Sequence, residues 1–208
     1  LVGGAKVSTK LELLSSLIQK IDHLVIGGGM ANTFLHAINK NIGKSLCEYE
    51  MRDIAIDVIN SAKKNQCQIH LPEDIVCAKS LSNNIKCKIY DVDNCPDEEI
   101  ILDAGPKTIR KIKNVFDRCK TLIWNGPLGA FEITPFDKAT IEISKYAAKL
   151  TQSKKIRAIA GGGDTISALN KALVTNDFSY VSTSGGAFLE WLEGKELPGL
   201  LALKTTNK

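Results

Sequence analysis

Ile156-Arg-Ala-Ile-Ala160-Gly161-Gly162-Gly163-Asp164-Thr165 sets a short apolar run against three consecutive glycines, and a helix-spaced stretch follows over 165–173. A strand that turns on glycine directly into a helix is one half of a strand-helix-strand crossover, the unit from which parallel sheets are built. The same order stands at three other places. Val2-Gly3-Gly4-Ala5-Lys6 precedes a helical stripe over 8–21, Ile26-Gly27-Gly28-Gly29-Met30 closes the run His23–Ile26, and Ser182-Thr183-Ser184-Gly185-Gly186-Ala187 follows Ser179–Val181.

The rest of the chain fits around these turns. Leu11, Leu14, Ile18 and Ile21 share one helical face, and Met51, Ile54, Ala55, Val58 and Ala62 recur at helix spacing within 48–64. Helices are also predicted over 30–40, 106–118, 134–150 and 186–194, with a strand at Thr121–Trp124. Between 68 and 102 the pattern changes to short β-like runs, Gln68–Leu71, Ile75–Ala78, Lys86–Tyr90 and Ile100–Leu102, broken at Pro72, Asn83-Asn84 and Pro96. Alternation on both sides of that stretch implies right-handed crossovers. The expected fold is therefore α/β: a three-layer, Rossmann-like parallel sheet with helices on both faces and a small antiparallel insertion near 72–100. Leu1-Val2 is too short for the strand that should precede Gly3, so the chain reads as a fragment whose first strand has been cut.

Composition excludes several classes. Of 208 residues 44% are hydrophobic and 24% charged, the balance of a chain that folds around a core. The net charge of +4 comes from interleaved signs and offers no extended basic face, so no nucleic-acid partner is expected. Apolar runs are too short to span a bilayer, and no membrane partner is expected; a cytoplasmic monomer is. Cys47, Cys67, Cys77, Cys87, Cys95 and Cys119 show no metal-ligand spacing and read as reduced thiols, while His23, His36 and His70 read as surface or edge histidines.

Four glycine turns at the carboxyl edge of one parallel sheet bring backbone and helix N-termini to a common ligand, and N–H groups aimed that way suit phosphate. Neither the P-loop nor the dinucleotide fingerprint is present. Lys6 and Lys10, four apart, would share a helix face beside Gly3-Gly4 and could meet a polyphosphate, or they are solvated surface lysines. Asp164 reads either as a helix cap or as the carboxylate for a phosphate-bound Mg²⁺. Trp124-Asn125-Gly126-Pro127-Leu128-Gly129-Ala130-Phe131-Glu132 is a ligand-side loop or a plain turn anchored by Phe131, and composition does not separate the two.

Gly3–Lys10, Ile26–Phe34, Leu71–Asp74, Leu102–Pro106, Trp124–Glu132, Gly161–Thr165, Ser182–Ala187 and Leu189–Gly199 together resemble the C-terminal, nucleotide-binding half of the phosphoglycerate kinases. The resemblance implies phosphoryl transfer between 1,3-bisphosphoglycerate with ADP and 3-phosphoglycerate with ATP, with Mg²⁺, in glycolysis, the 3-phosphoglycerate site lying on an absent N-terminal half. It implies an adenine pocket of Ala5, Gly27, Gly28, Gly29, Leu46, Leu102 and Ala130, with Gly4, Pro127 and Gly129 also binding the nucleotide. Lys6 and Lys10 would touch the nucleotide phosphates and the group in flight, Asn125 the phosphate region, and Glu132 the ribose. Asp164 would hold Mg²⁺, Thr165 a phosphate, and Gly185 and Gly186 the transferring phosphoryl, with Gly161, Gly162 and Gly163 among the nucleotide-binding residues. One position departs: the family's Ser-Thr-Gly-Gly-Gly-Ala reads Ser182-Thr183-Ser184-Gly185-Gly186-Ala187, and Ser184 is strained if that position requires a positive φ, or serves as a helix N-cap. An adenine-nucleotide binder without transfer activity and a purely structural α/β domain are the competing readings.

Overall fold

A computed structural model describes residues 1–198 and 201–202; Gly199, which ends the last family motif, lies outside the described residues. Two patches of parallel pairing make the main sheet. Strand β1 (His23–Val25) pairs with β2 (Gln68–His70), and β6 (Thr121–Trp124) pairs with β7 (Arg157–Gly161), which pairs with β8 (Tyr180–Ser182). Val2 joins them, bridging in parallel to Ile26 on one side and Asn125 on the other. The two-residue stretch Leu1-Val2 thus holds the centre of the sheet: the Val2 N–H donates to Val25 O, and Leu1 O accepts from the Asn125 N–H. Across the sheet the order is β2, β1, Leu1-Val2, β6, β7, β8. Counted along the chain this is the doubly wound order, with its reversal between Leu1-Val2 and β6.

Alternate side chains explain the layers. On β6, Leu122 and Trp124 enter one core while Ile123 enters the other, and Ala158, Ala160 and Ile159 on β7 divide the same way. The first core is closed by Ile109 and Ile112 of α4 (Pro106–Phe116), Ile143 and Ala147 of α5 (Lys138–Gln152) and Leu169 of α6 (Gly163–Lys171). The second takes Leu14 and Leu17 of α1 (Leu11–Ile18), Met30 and Phe34 of α2 (Gly29–Ala37), Ala55 and Val58 of α3 (Arg52–Lys64) and Phe188 of α7 (Gly185–Leu192). The insertion is a separate antiparallel sheet in the order β4 (Lys88–Asp91), β3 (Asp74–Ala78), β5 (Ile100–Ala104), with its own small core around Ile75, Cys77 and Cys95.

Several predicted boundaries move for local reasons. Residues 8–10 form a 3-10 turn before α1. Asn39 takes φ 62°, a left-handed conformation beyond the last turn of α2. The helix expected from 134 begins at Lys138, where the Asp103 carboxylate accepts from the Ala139 N–H. All six cysteines are free. His70 overturns its reading as an edge residue: it is 3% exposed, with Nε2 placed 3.2 Å from Nδ1 of His23.

Candidate functional site

At the sheet's reversal the loops diverge, and a cleft of about 550 Å³ opens between the glycine turns and the insertion. Gly4, Ala5, Gly28, Gly29 and Leu46 form one wall, and Leu102, Pro127, Gly129, Ala130 and Glu132 the other, with Asp164 at the rim. Leu46 is 55% exposed, an apolar lip with a free face. Backbone shapes this wall. Gly28 takes φ 67°, and a Cβ there would stand 2.6 Å from Gly4 O, so only glycine lets the first two turns stack. Gly27 is part of the packing rather than the wall, since a Cβ on it would meet the Leu128 side chain at 2.4 Å.

The polar residues beneath the turns are committed to one another. Asn125 donates from Nδ2 to Gly161 O at 2.7 Å and accepts at Oδ1 from Lys10 Nζ at 2.5 Å, and the same ammonium donates to Gly3 O at 2.5 Å. Thr165 Oγ1 donates to Gly161 O at 2.8 Å and accepts from the Gly126 N–H at 2.7 Å. These bonds fasten three glycine turns together, and they place Lys10, Asn125 and Thr165 beneath the cleft, bonded to one another's turns. Lys6 and Lys10 do not share a helical face. The i,i+4 rule needs an α-helix, whereas residue 6 precedes the 3-10 turn; Lys6 stays exposed and Lys10 turns inward. Burial draws the Lys10 pKa down to about 8, with the charge of Asp164 opposing.

Carboxylates that the sequence reading passed over occupy helix starts. Glu48 accepts from the Val7 N–H at 2.6 Å, the Ser8 N–H at 3.1 Å and the Ser8 hydroxyl. Burial pushes its pKa up, but the bonds from Ser8 and Val7 and the charge of Lys6 prevail, and the net shift is downward. The 3-10 start behind the first glycine turn is therefore capped by an internal anion. Asp74 accepts from Lys107 N, Thr108 N and Thr108 Oγ1 at the start of α4. Asp103 accepts from Ala104 N and Ala139 N, both at 2.9 Å, and there burial outweighs the bonds, raising its pKa to about 8.

The start of α6 differs. Its N-cap is Gly162 at φ 99°, with no side-chain capping bond, and a Cβ on Gly163 would meet nothing within 4 Å. Asp164 is exposed in the first turn, so it does not act as the cap. Gly186, in α7, also faces open space. Ser184 is absent from the positive-φ positions among the described residues, and its carbonyl accepts from the Phe188 N–H at the start of α7, so its strained reading falls away. The glycine turns themselves were legible, but the floor was not, because Lys10 meets Asn125 across 115 residues of chain and Gly126 meets Thr165 across 39.

A doubly wound sheet with a glycine-lined cleft at its reversal and a glycine-capped helix start beside it is the architecture of the α/β proteins that bind phosphate-bearing ligands at the strands' carboxyl edge. Residues 1–195 match the family model described as phosphoglycerate kinase, and the chain belongs to that family. It is 55% identical over 204 residues to a phosphoglycerate kinase of Chelativorans sp. (strain BNC1), covering 98% of this chain and 51% of that one. Against that of Zymomonas mobilis it is 56% identical over 203 residues, with the same coverage. The solved phosphoglycerate kinase of Coxiella burnetii superposes with a TM-score of 0.94 at 43% identity over 100% of this chain and 52% of its own. The chain spans about half the length of the curated relatives it matches.

Proposed function

We propose that these residues supply the nucleotide half of the phosphoglycerate kinase reaction, binding ADP or ATP while 1,3-bisphosphoglycerate and 3-phosphoglycerate are held outside them. The observation that carries this is the polarity of the cleft, apolar between Leu46, Leu102 and Ala130 and acidic at Asp164 beside the free N–H groups of α6. A base fits the first end and phosphates the second, with Glu132 exposed on the wall for the ribose.

Mg²⁺ fits this arrangement in one form only. Among the described residues no cluster of three or more His, Cys, Asp or Glu could cage a metal, whereas a single exposed carboxylate suits an ion held mainly by phosphate oxygens and water. Asp164 would hold it, and when bound the ion neutralises phosphate charge. The chain's own share is positioning: the α6 amides orient the phosphates, Gly186 leaves room for the transferring group, and exposed Lys6 is the cation free to swing toward it. Among the described residues no helix is long and apolar enough to cross a membrane, and a monomer in the cytoplasm completes this reading.

Calorimetric titration with Mg-ADP tests the site; saturable heat is expected, and no heat at millimolar nucleotide would sink the proposal. A coupled assay tests the division of labour. Positioning two reactants in line supplies up to roughly 7–11 kcal/mol of a barrier, so the chain alone should show no 3-phosphoglycerate-dependent ATP consumption. Activity that survives repurification would place the acceptor site within these residues.

A further inference from the structure

Away from the cleft, a basin of about 490 Å³ lies between α4 and the end of β2, and it shares no wall residue with the nucleotide cleft. Lys107, Arg110 and Lys111 line it from α4, where three- and four-residue spacing places them on one face, and Arg118 joins them from the turn that follows the helix. Glu73 is the one carboxylate in the wall, and it is taken by Lys111 at 2.8 Å. Lys107 is paired with Asp91 at 3.0 Å. Among the described residues neither Arg110 nor Arg118 has an ion-pair partner.

The second observation is under this surface. His70 is 97% buried, lines the basin, and leaves Nδ1 without any hydrogen-bond partner. Its Nε2 is engaged by His23, which is not part of the wall. When His23 donates from Nδ1, the His70 proton sits on its own Nδ1, and a buried N–H is left with no acceptor. Burial first, then the neighbouring His23, Lys111 and Arg118, draw the His70 pKa to about 4, with Glu73 alone opposing, so the imidazole is neutral at pH 7. Two guanidinium groups without ion-pair partners call for an oxyanion, and in the tautomer with the proton on Nδ1 the His70 ring offers a donor that has no acceptor.

We infer that this basin binds a small oxyanion carrying two or more negative charges. Arg110 and Arg118 take its oxygens in the fork geometry guanidinium favours, Lys107 and Lys111 add to the field, and His70 Nδ1 supplies the donor from the floor.

The test is NMR titration of the chain with inorganic pyrophosphate and, separately, citrate at fixed ionic strength, following the amides of 107–118 and the His70 ring nitrogens. Saturable shifts at α4 and at His70 Nδ1 are expected. Saturation by pyrophosphate alone assigns a phosphate ligand, by citrate alone a polycarboxylate, and by both an oxyanion of either kind. The exposed pair Arg110→Gln with Arg118→Gln should weaken binding by about tenfold or more, as removal of charge-assisted hydrogen bonds does. His70→Phe should weaken it less, by about threefold; the arginine pair decides the matter by itself if that variant fails to fold. Linear, unsaturable shifts with both anions, or equal affinity in the arginine pair, would overturn the inference. Shifts confined to 162–165 would likewise overturn it, since they would report the nucleotide cleft.

Discussion

The starts of α4 and α6 solve one physical problem in opposite ways. Each leaves backbone N–H groups without intrahelical acceptors. At α4 the buried Asp74 carboxylate, from a strand more than thirty residues away, accepts from Lys107, Thr108 and the Thr108 hydroxyl. At α6, whose N-cap is likewise a glycine, no side chain among the described residues accepts from the first turn, and Asp164 stands exposed beside the cleft. Asp103 at α5 and Glu48 before α1 follow the first pattern. Three helix starts thus meet internal anions, whereas at α6 no side chain accepts from the first turn, which is the contrast the proposed phosphate site rests on.

Removing an internal cap is the harshest way to break the contrast. Asp74→Ala should cost about 3 kcal/mol in urea unfolding, because a buried carboxylate goes and several donors lose their acceptor. A loss below about 1 kcal/mol would mean that water replaces it and that α4 and α6 differ little.

Next in size is a pH effect at α5. Burial raises Asp103 from 3.8 to about 8 in the fold. The folded state keeps the proton longer, so the associated stability is complete below about pH 4 and is lost as pH rises through about 8. Asp103→Asn cannot ionise. Its stability should therefore gain on that of the unsubstituted chain by about 2 kcal/mol between pH 6 and 8.5, measured by urea unfolding at each pH, and parallel curves would show that the carboxyl is already ionised at neutrality.

Adjacent glycines sharpen the comparison at α6. Gly162→Ala forces a side chain into φ 99° with Asn125 Nδ2 at 2.6 Å, and it should cost about 1.5 kcal/mol in thermal or urea unfolding. Gly163→Ala, facing open space, should leave stability unchanged and weaken Mg-ADP in calorimetry; equal losses from both would make the α6 turn purely structural.

The smallest stability effect is expected at Asp164. Asp164→Ala should move unfolding by under about 0.5 kcal/mol, yet reduce Mg-ADP affinity about tenfold and metal-free ADP far less. A loss of about 1 kcal/mol in stability, with equal weakening in the presence and absence of Mg²⁺, would return Asp164 to the role of a cap.

What the sequence determined by itself is local. Periods of 3.6 and 2, and glycines between them, are enforced by neighbours a few residues apart, so the α/β alternation, the antiparallel insertion and the four turns were legible, while the pocket residues Ala5, Gly29 and Ala130 came from the family resemblance. Helix ends were less so: α5 starts where Asp103, thirty-five residues earlier, supplies an acceptor. Tertiary structure alone decided the work of the polar residues. Lys10 and Asn125 meet over 115 residues, and Glu48 reaches Val7 over 41. His70, in a strand of unremarkable sequence, becomes buried beside His23 because β1 and β2 pair. Backbone conformation is set by adjacent atoms, whereas a hydrogen bond or a pKa is set by whichever groups the fold brings within a few ångströms, and sequence spacing does not encode that distance.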